Sequence, residues 1–166
     1  MDTNSPSPAV VAHLEKLFQR ADQMTDKQRQ AMVADFERCQ HFLEDMLEGY
    51  EFDLEQPALE AMAQCYFVIW EHFKDKKNSQ KRPIAESQFI RLQKRNNLAL
   101  QDATDGLKGS LATLPAFPTP TSNLLMEKLQ FWFESHPSIQ NLPNSNQTEL
   151  LIDLRTLVDC FEEITR

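Results

Sequence analysis

Glu37, His41, Glu44 and Glu48 follow one another at steps of four, three and four, which on one continuous helix sets an imidazole among carboxylates on a single side. Such a face suits metal ligation or proton transfer, and Glu60, Gln64 and the Glu71-His72 pair are positioned on a following helix to face it. Carboxylate-bridged metal bundles, however, draw Glu-x-x-His from two helices and one glutamate from each of two others, and no Glu-x-x-His occurs in this chain. A metal-binding bundle therefore ranks third among the functions considered. Nucleophilic chemistry has less support. His13, His41, His72 and His136 have no serine or cysteine beside them in an elbow or other local catalytic signature. His136, just before Pro137, reads as a helix-end residue that the negative end of a helix dipole favours.

Cys39, Cys65 and Cys160 are scattered, each inside a helical pattern and none in a C-x-x-C pair. Small buried hydrophobes in a reducing compartment fit that distribution better than a disulfide framework or a zinc site. Gly49, Gly106 and Gly109 are the only glycines, so neither a G-x-G-x-x-G turn nor a Walker loop can be assembled. Nucleotide-dependent enzymes of those two kinds are excluded, because both need glycine where the backbone approaches phosphate. No catalytic, cofactor-binding or metal-binding residue is assigned, no cofactor is expected, and an enzyme is the less favoured reading.

Binding has stronger signals. Between residues 74 and 95 eight basic residues (Lys74, Lys76, Lys77, Lys81, Arg82, Arg91, Lys94 and Arg95) face only Asp75 and Glu86, a local balance of +6 in a chain whose total is −8. Between residues 35 and 60 nine carboxylates face Arg38 alone. If the intervening helix spans 18 residues, or roughly 27 Å at 1.5 Å per residue, the two stretches occupy opposite ends of an up-and-down bundle. Carboxylates at the start and cations at the end of that helix complement its dipole, which accounts for Lys74 and Lys76 but not for Arg91, Lys94 and Arg95. Lys81, Arg82, Lys94 and Arg95 belong to no apolar stripe, so their reversal to glutamate is expected to leave the helical signal intact while weakening an acidic partner or nucleic acid. A second signal is Phe131-Trp132-Phe133, since three consecutive helical positions spread over about 200° and cannot share one narrow buried face. One of the phenylalanines either packs under the neighbouring prolines or stands exposed as an anchor for a partner.

The elements that must carry these residues are helices. Val10, Leu14, Leu17, Ala21 and Met24 keep one face of a first helix over residues 8–24. Thr25-Asp26-Lys27-Gln28 has the form of a capping box and opens a second, whose stripe of Met32, Phe36, Cys39, Leu43, Met46 and Tyr50 runs unbroken to Gly49 as its stop. Pro57 suits the first turn of a third helix reaching residue 76; it is apolar on every face over 65–70, which marks it as the central one. Pro83 can open a fourth, with Asn96 on its stripe and fraying expected near Gly106 and Gly109. After the proline-rich residues 115–121, Ser122 or Asn123 can cap a fifth helix to residue 135, and Leu150, Leu154, Leu157, Phe161 and Ile164 define a sixth.

The expectation is an all-α protein, a compact bundle of about six helices. A disordered tail, 1–7, precedes a single domain, 8–166, divided into a four-helix part (8–114), a Pro-rich connector (115–121) and a C-terminal hairpin (122–166) that packs back on the rest. The longest apolar run, residues 65–70, is far short of the ~20 residues of a membrane-crossing helix, and the amino-terminal residues do not resemble a secretory signal. A cytoplasmic setting without membrane contact is expected. The favoured function is a non-catalytic adaptor or assembly subunit acting through protein-protein interaction, with a homodimer admitted. The alternative is a nucleic-acid-contacting subunit of a larger complex that uses residues 74–95; the overall acidity, with an isoelectric point near 5.0, weighs against it.

Overall fold

Local signals set where most helices begin. Ser7 accepts the Val10 N–H ahead of Pro8, and Thr25 and Gln28 complete a reciprocal capping box, each side chain holding the other's backbone N–H. The computed structural model describes residues 5–104 and 114–166. Among them are eight helices and no strand: α1 (Pro8–Asp22), α2 (Asp26–Cys39), α3 (His41–Asp53), α4 (Gln56–Phe73), α5 (Glu86–Thr104), α6 (Pro120–Ser135), α7 (Pro137–Gln140) and α8 (Asn144–Ile164). The all-α class holds, and the count of about six is corrected to eight. The fraying expected near Gly106 and Gly109, and most of the tail expected over 1–7, lie outside the described residues.

The two additional helices have distinct causes. His136 ends α6 and its Nδ1 accepts the Ser138 N–H, so the residue read as a helix end also starts the one-turn α7. The expected second helix is broken at Gln40, whose backbone leaves the helical region at φ −140° and ψ 61°. No proline or glycine lies there; tertiary hydrogen bonds select the break. The Gln40 amide donates to the Ser79 and Arg82 carbonyls at 2.8 and 3.1 Å and accepts the Ile84 N–H at 2.9 Å. The chain reverses at this point. Trp70 donates to Asp35 on α2, whereas Tyr50, at the far end of α3, returns to Tyr66. Gly49 therefore stops nothing and lies inside α3, and Pro83 stands three residues before α5 rather than opening it.

One apolar cluster joins all eight helices. Leu43, Met62, Ile69, Leu154 and Phe161, which their apolar spacing places among the most buried residues, are all essentially inaccessible. Trp70 meets Phe36 edge-on at 5.6 Å, and Phe73 stacks on Phe161 at 5.0 Å. α4 is enclosed as expected, but it shares the centre with α8, where every residue from 150 to 162 is buried. α8 packs against α4, α5 and α6, and the connector lies across it, pinned by Arg155, which donates to the Pro115 carbonyl at 2.6 Å and sits 3.8 Å above the Phe117 ring. No helix of the described residues is long and apolar enough to cross a membrane.

Candidate functional site

The reversal at Gln40 divides the histidine-carboxylate face between two helices, although Glu37, Glu48 and His41 stay near enough to act on Glu44, whose pKa is raised by desolvation and then by Glu37, Glu48 and Asp45, against the lowering effect of His41. Glu37 lies on α2, while His41, Glu44 and Glu48 lie on α3, so the register of four, three and four no longer runs along one helix. Gln64 is turned to α1, donating to the Ala21 carbonyl at 3.0 Å, and Glu71 holds Lys74 at 2.6 Å and Arg20 at 3.6 Å. Among the described residues no three His, Cys, Asp or Glu side chains converge to hold a metal ion. His72 is buried with its Nδ1 unpartnered, 6.0 Å from the His13 ring. Burial, then the nearby Lys76 and His13, push its pKa down to about 4, so it is neutral at neutral pH. The three cysteines are buried and free, and burial raises the thiol pKa of each, which keeps them unreactive.

The basic segment divides into two kinds of residue. Lys74, Arg91 and Arg95 are bound within the protein: Lys74 to Glu71, Arg91 to Glu163 at 2.8 Å, and Arg95 to the buried Asp159 at 3.1 Å. Each of the three offsets a carboxylate on α4 or α8, so the expectation that Arg95 could be reversed together with Lys81, Arg82 and Lys94 without disturbing the fold is corrected for Arg95. Lys76, Lys77, Lys81, Arg82 and Lys94 are exposed and make no ion pair among the described residues. Four of these five lie on the loop between α4 and α5, and that loop is built to hold one shape. Gln40 clamps it from beneath, Ser79 donates to the Phe73 carbonyl at 2.6 Å, and Asn78, in the left-handed region at φ 68°, donates to the Ile164 carbonyl at 3.1 Å. Lys76 and Lys77 line a cavity of about 430 Å³ together with Thr121, Ser122 and Glu162.

The charge separation read from the sequence is altered in one respect. Asp35 and Glu37 belong to the acidic stretch, yet α2 carries them toward the basic loop, where Asp35 holds Arg38 and Arg38 reaches Gln80. The carboxylates from Glu48 to Glu55 lie toward the other end of α3 and the start of α4, the end at which Ser138 of α7 donates to the Pro57 carbonyl.

The aromatic triplet is split three ways. Phe133 is fully buried in the core and unavailable to a partner, which corrects its place among the binding residues. Trp132 is half-buried, and its Nε1 donates to Asp22 at 2.9 Å, tying α6 to the end of α1. Phe131 is 75% exposed.

The principal polar feature that sequence reasoning missed is the inner face of α8. Asp153 accepts from Tyr50 at 2.7 Å and Gln93 at 2.8 Å; Asp159 accepts from Asn96 at 2.8 Å and from Arg155; Glu162 accepts from the hydroxyls of Thr119 and Ser122. Asp153, Thr156, Asp159 and Glu162 recur every three residues beside the leucine stripe, and Asn96 interrupts an apolar stripe on α5. Those two patterns were the available signals, and a buried polar stripe demands a polar partner. The network is engaged in holding α8 to α3, α5 and α6; Asp153 also lines a cavity of about 420 Å³ beside Tyr50 and Glu149, Glu162 lines the cavity beside Lys76 and Lys77, and Asp159 and Glu162 line a smaller one of about 220 Å³. Comparison of the chain with family models, with curated proteins and with solved structures finds no match.

Proposed function

We propose that this protein is a non-catalytic interaction subunit that docks an acidic surface of another protein on the α4–α5 loop. The observation that carries this reading is the triple hydrogen bond from buried Gln40, which holds a loop bearing Lys76, Lys77, Lys81 and Arg82 in one shape. A preorganised loop loses little conformational entropy on binding, so more of the charge attraction is retained as affinity. Unpaired cations steer encounter with an acidic partner, and they remain unneutralised by the surrounding chain. An acidic protein is favoured over nucleic acid because the net charge is −8 and the carboxylates Asp35, Glu37 and Glu163 border the same end: a local acidic patch can meet the four cations alone, whereas a phosphate backbone, with about one charge per 1.7 Å, would extend over the carboxylates as well. Three buried, reduced thiols are consistent with a cytoplasmic setting.

The test is co-purification with the wild-type chain and with a variant carrying Lys76→Glu, Lys77→Glu, Lys81→Glu and Arg82→Glu, with retention on duplex DNA measured in parallel. The expected result is an acidic protein held by the wild type, released by salt and absent from the variant. Retention of the same proteins by both baits overturns the reading, and salt-dependent retention on DNA that the variant loses transfers it to nucleic acid.

A further inference from the structure

α1 and α6 run side by side from the basic end, and between them lies an apolar groove of about 490 Å³, floored by Phe18 and Trp132 and edged by Glu15, Glu127 and Lys128. Phe131 stands at its margin, 75% exposed. Other large apolar side chains are exposed, Phe52 at 91% among them, but single exposed residues are ordinary on protein surfaces. Phe131 differs in having a hollow beside it that is lined by two further aromatic rings. A projecting ring and an aromatic hollow on one patch form a self-complementary surface, the requirement of an isologous two-fold contact.

We propose that a second copy of this chain docks here, with α6 crossing its counterpart antiparallel at Phe131 and each Phe131 seated in the other copy's groove. The charges on α6 select both the occupant and the direction. The outward positions of α6 around Phe131 are Glu127, Lys128, Glu134 and Ser135. An antiparallel crossing centred on Phe131 sets Lys128 opposite Glu134 of the second copy, and the two-fold axis repeats the pair. A parallel crossing would set Glu127, Lys128 and Glu134 each against its own like charge, which is unfavourable. Both side chains are available: Lys128 makes no ion pair among the described residues, and the Glu134 carboxylate, which accepts from Gln130 on its own helix, makes none either and faces solvent. The net charge of −8 makes two copies repel at low salt, so the attraction must be local and largely apolar.

Sedimentation of the full chain at about 0.1 M and about 1 M salt tests the proposal, because the screening length falls from ~10 Å to ~3 Å between them while apolar association persists. A dimer is expected under both conditions. Phe131→Asp should give a monomer with an unchanged helical signal, since the ring contributes little to its own core. Lys128→Glu should weaken the dimer about tenfold, and Lys128→Glu with Glu134→Lys should restore it. A wild type that is monomeric at both salts overturns the proposal, as does a dimer that dissociates only at high salt or survives Phe131→Asp. A charge swap that fails to restore what Lys128→Glu removes overturns the antiparallel register.

Discussion

Tyr50 and Asp153, 103 residues apart in the chain, meet through a 2.7 Å hydrogen bond that joins the end of α3 to α8 inside the protein. Tyr66 stands 3.2 Å from the Tyr50 hydroxyl, and Gln93 donates to the other oxygen of Asp153, so three helices converge on one carboxylate. Burial raises the Asp153 pKa from its ordinary 3.8 to about 6, against the lowering effect of the Tyr50 and Gln93 hydrogen bonds.

Because Asp153 takes its proton more readily in the folded state than in the unfolded chain, its contribution to stability is fully present below about pH 3.8 and is lost as pH rises through about 6. The shift corresponds to about 3 kcal/mol. Asp153→Asn should therefore gain stability relative to wild type at pH 7 and lose that advantage by pH 4, as read by urea denaturation across the range. A constant difference between the two proteins at every pH would show that Asp153 does not titrate there.

His72 acts in the opposite direction over an overlapping range. Its folded pKa, about 4, lies below the ordinary 6.5, so stability is full above pH 6.5 and is lost as pH falls toward 4, again by about 3 kcal/mol. Replacing it with leucine removes both the titration and the unpartnered Nδ1. The His72→Leu protein should resist acid better than wild type; equal acid midpoints would show that His72 is hydrogen-bonded in solution.

Gln40→Leu leaves the buried Ile84 N–H and the Ser79 and Arg82 carbonyls without their partner. A loss of about 2–4 kcal/mol is expected, since each unsatisfied buried group costs about 1–3 kcal/mol and some regain water. Amide exchange at Ile84 should accelerate well beyond the change at core amides of α4 such as Ile69. Uniform acceleration would mean that Gln40 supports the whole fold rather than the basic loop.

Phe161→Ala and Phe131→Ala separate core from surface. Phe161 is stacked on Phe73 and inaccessible, so its truncation should cost about 3–5 kcal/mol. Phe131→Ala should change stability by less than about 0.5 kcal/mol at concentrations where the chain is monomeric. Similar losses at both positions would place Phe131 in the core.

What the sequence determined by itself was local: a helical class, the starts of α1 and α2 from their caps, the depth of Leu43, Met62, Ile69, Leu154 and Phe161, and the burial of three unpaired cysteines. Each rests on residues within one or two turns of one another, where spacing alone sets which face is buried. The break at Gln40 was invisible because its cause lies 39 to 44 residues away, in the hydrogen bonds of the 79–84 segment. The enclosure of α8 was hidden for the same reason: the groups that satisfy Asp153, Asp159 and Glu162, namely Tyr50, Gln93, Asn96, Thr119 and Ser122, come from distant parts of the chain. The sequence likewise presented eight cations as one group. Only the tertiary structure, by bringing Glu71, Glu163 and Asp159 to three of them, decided which cations hold the fold and which remain free to meet a partner.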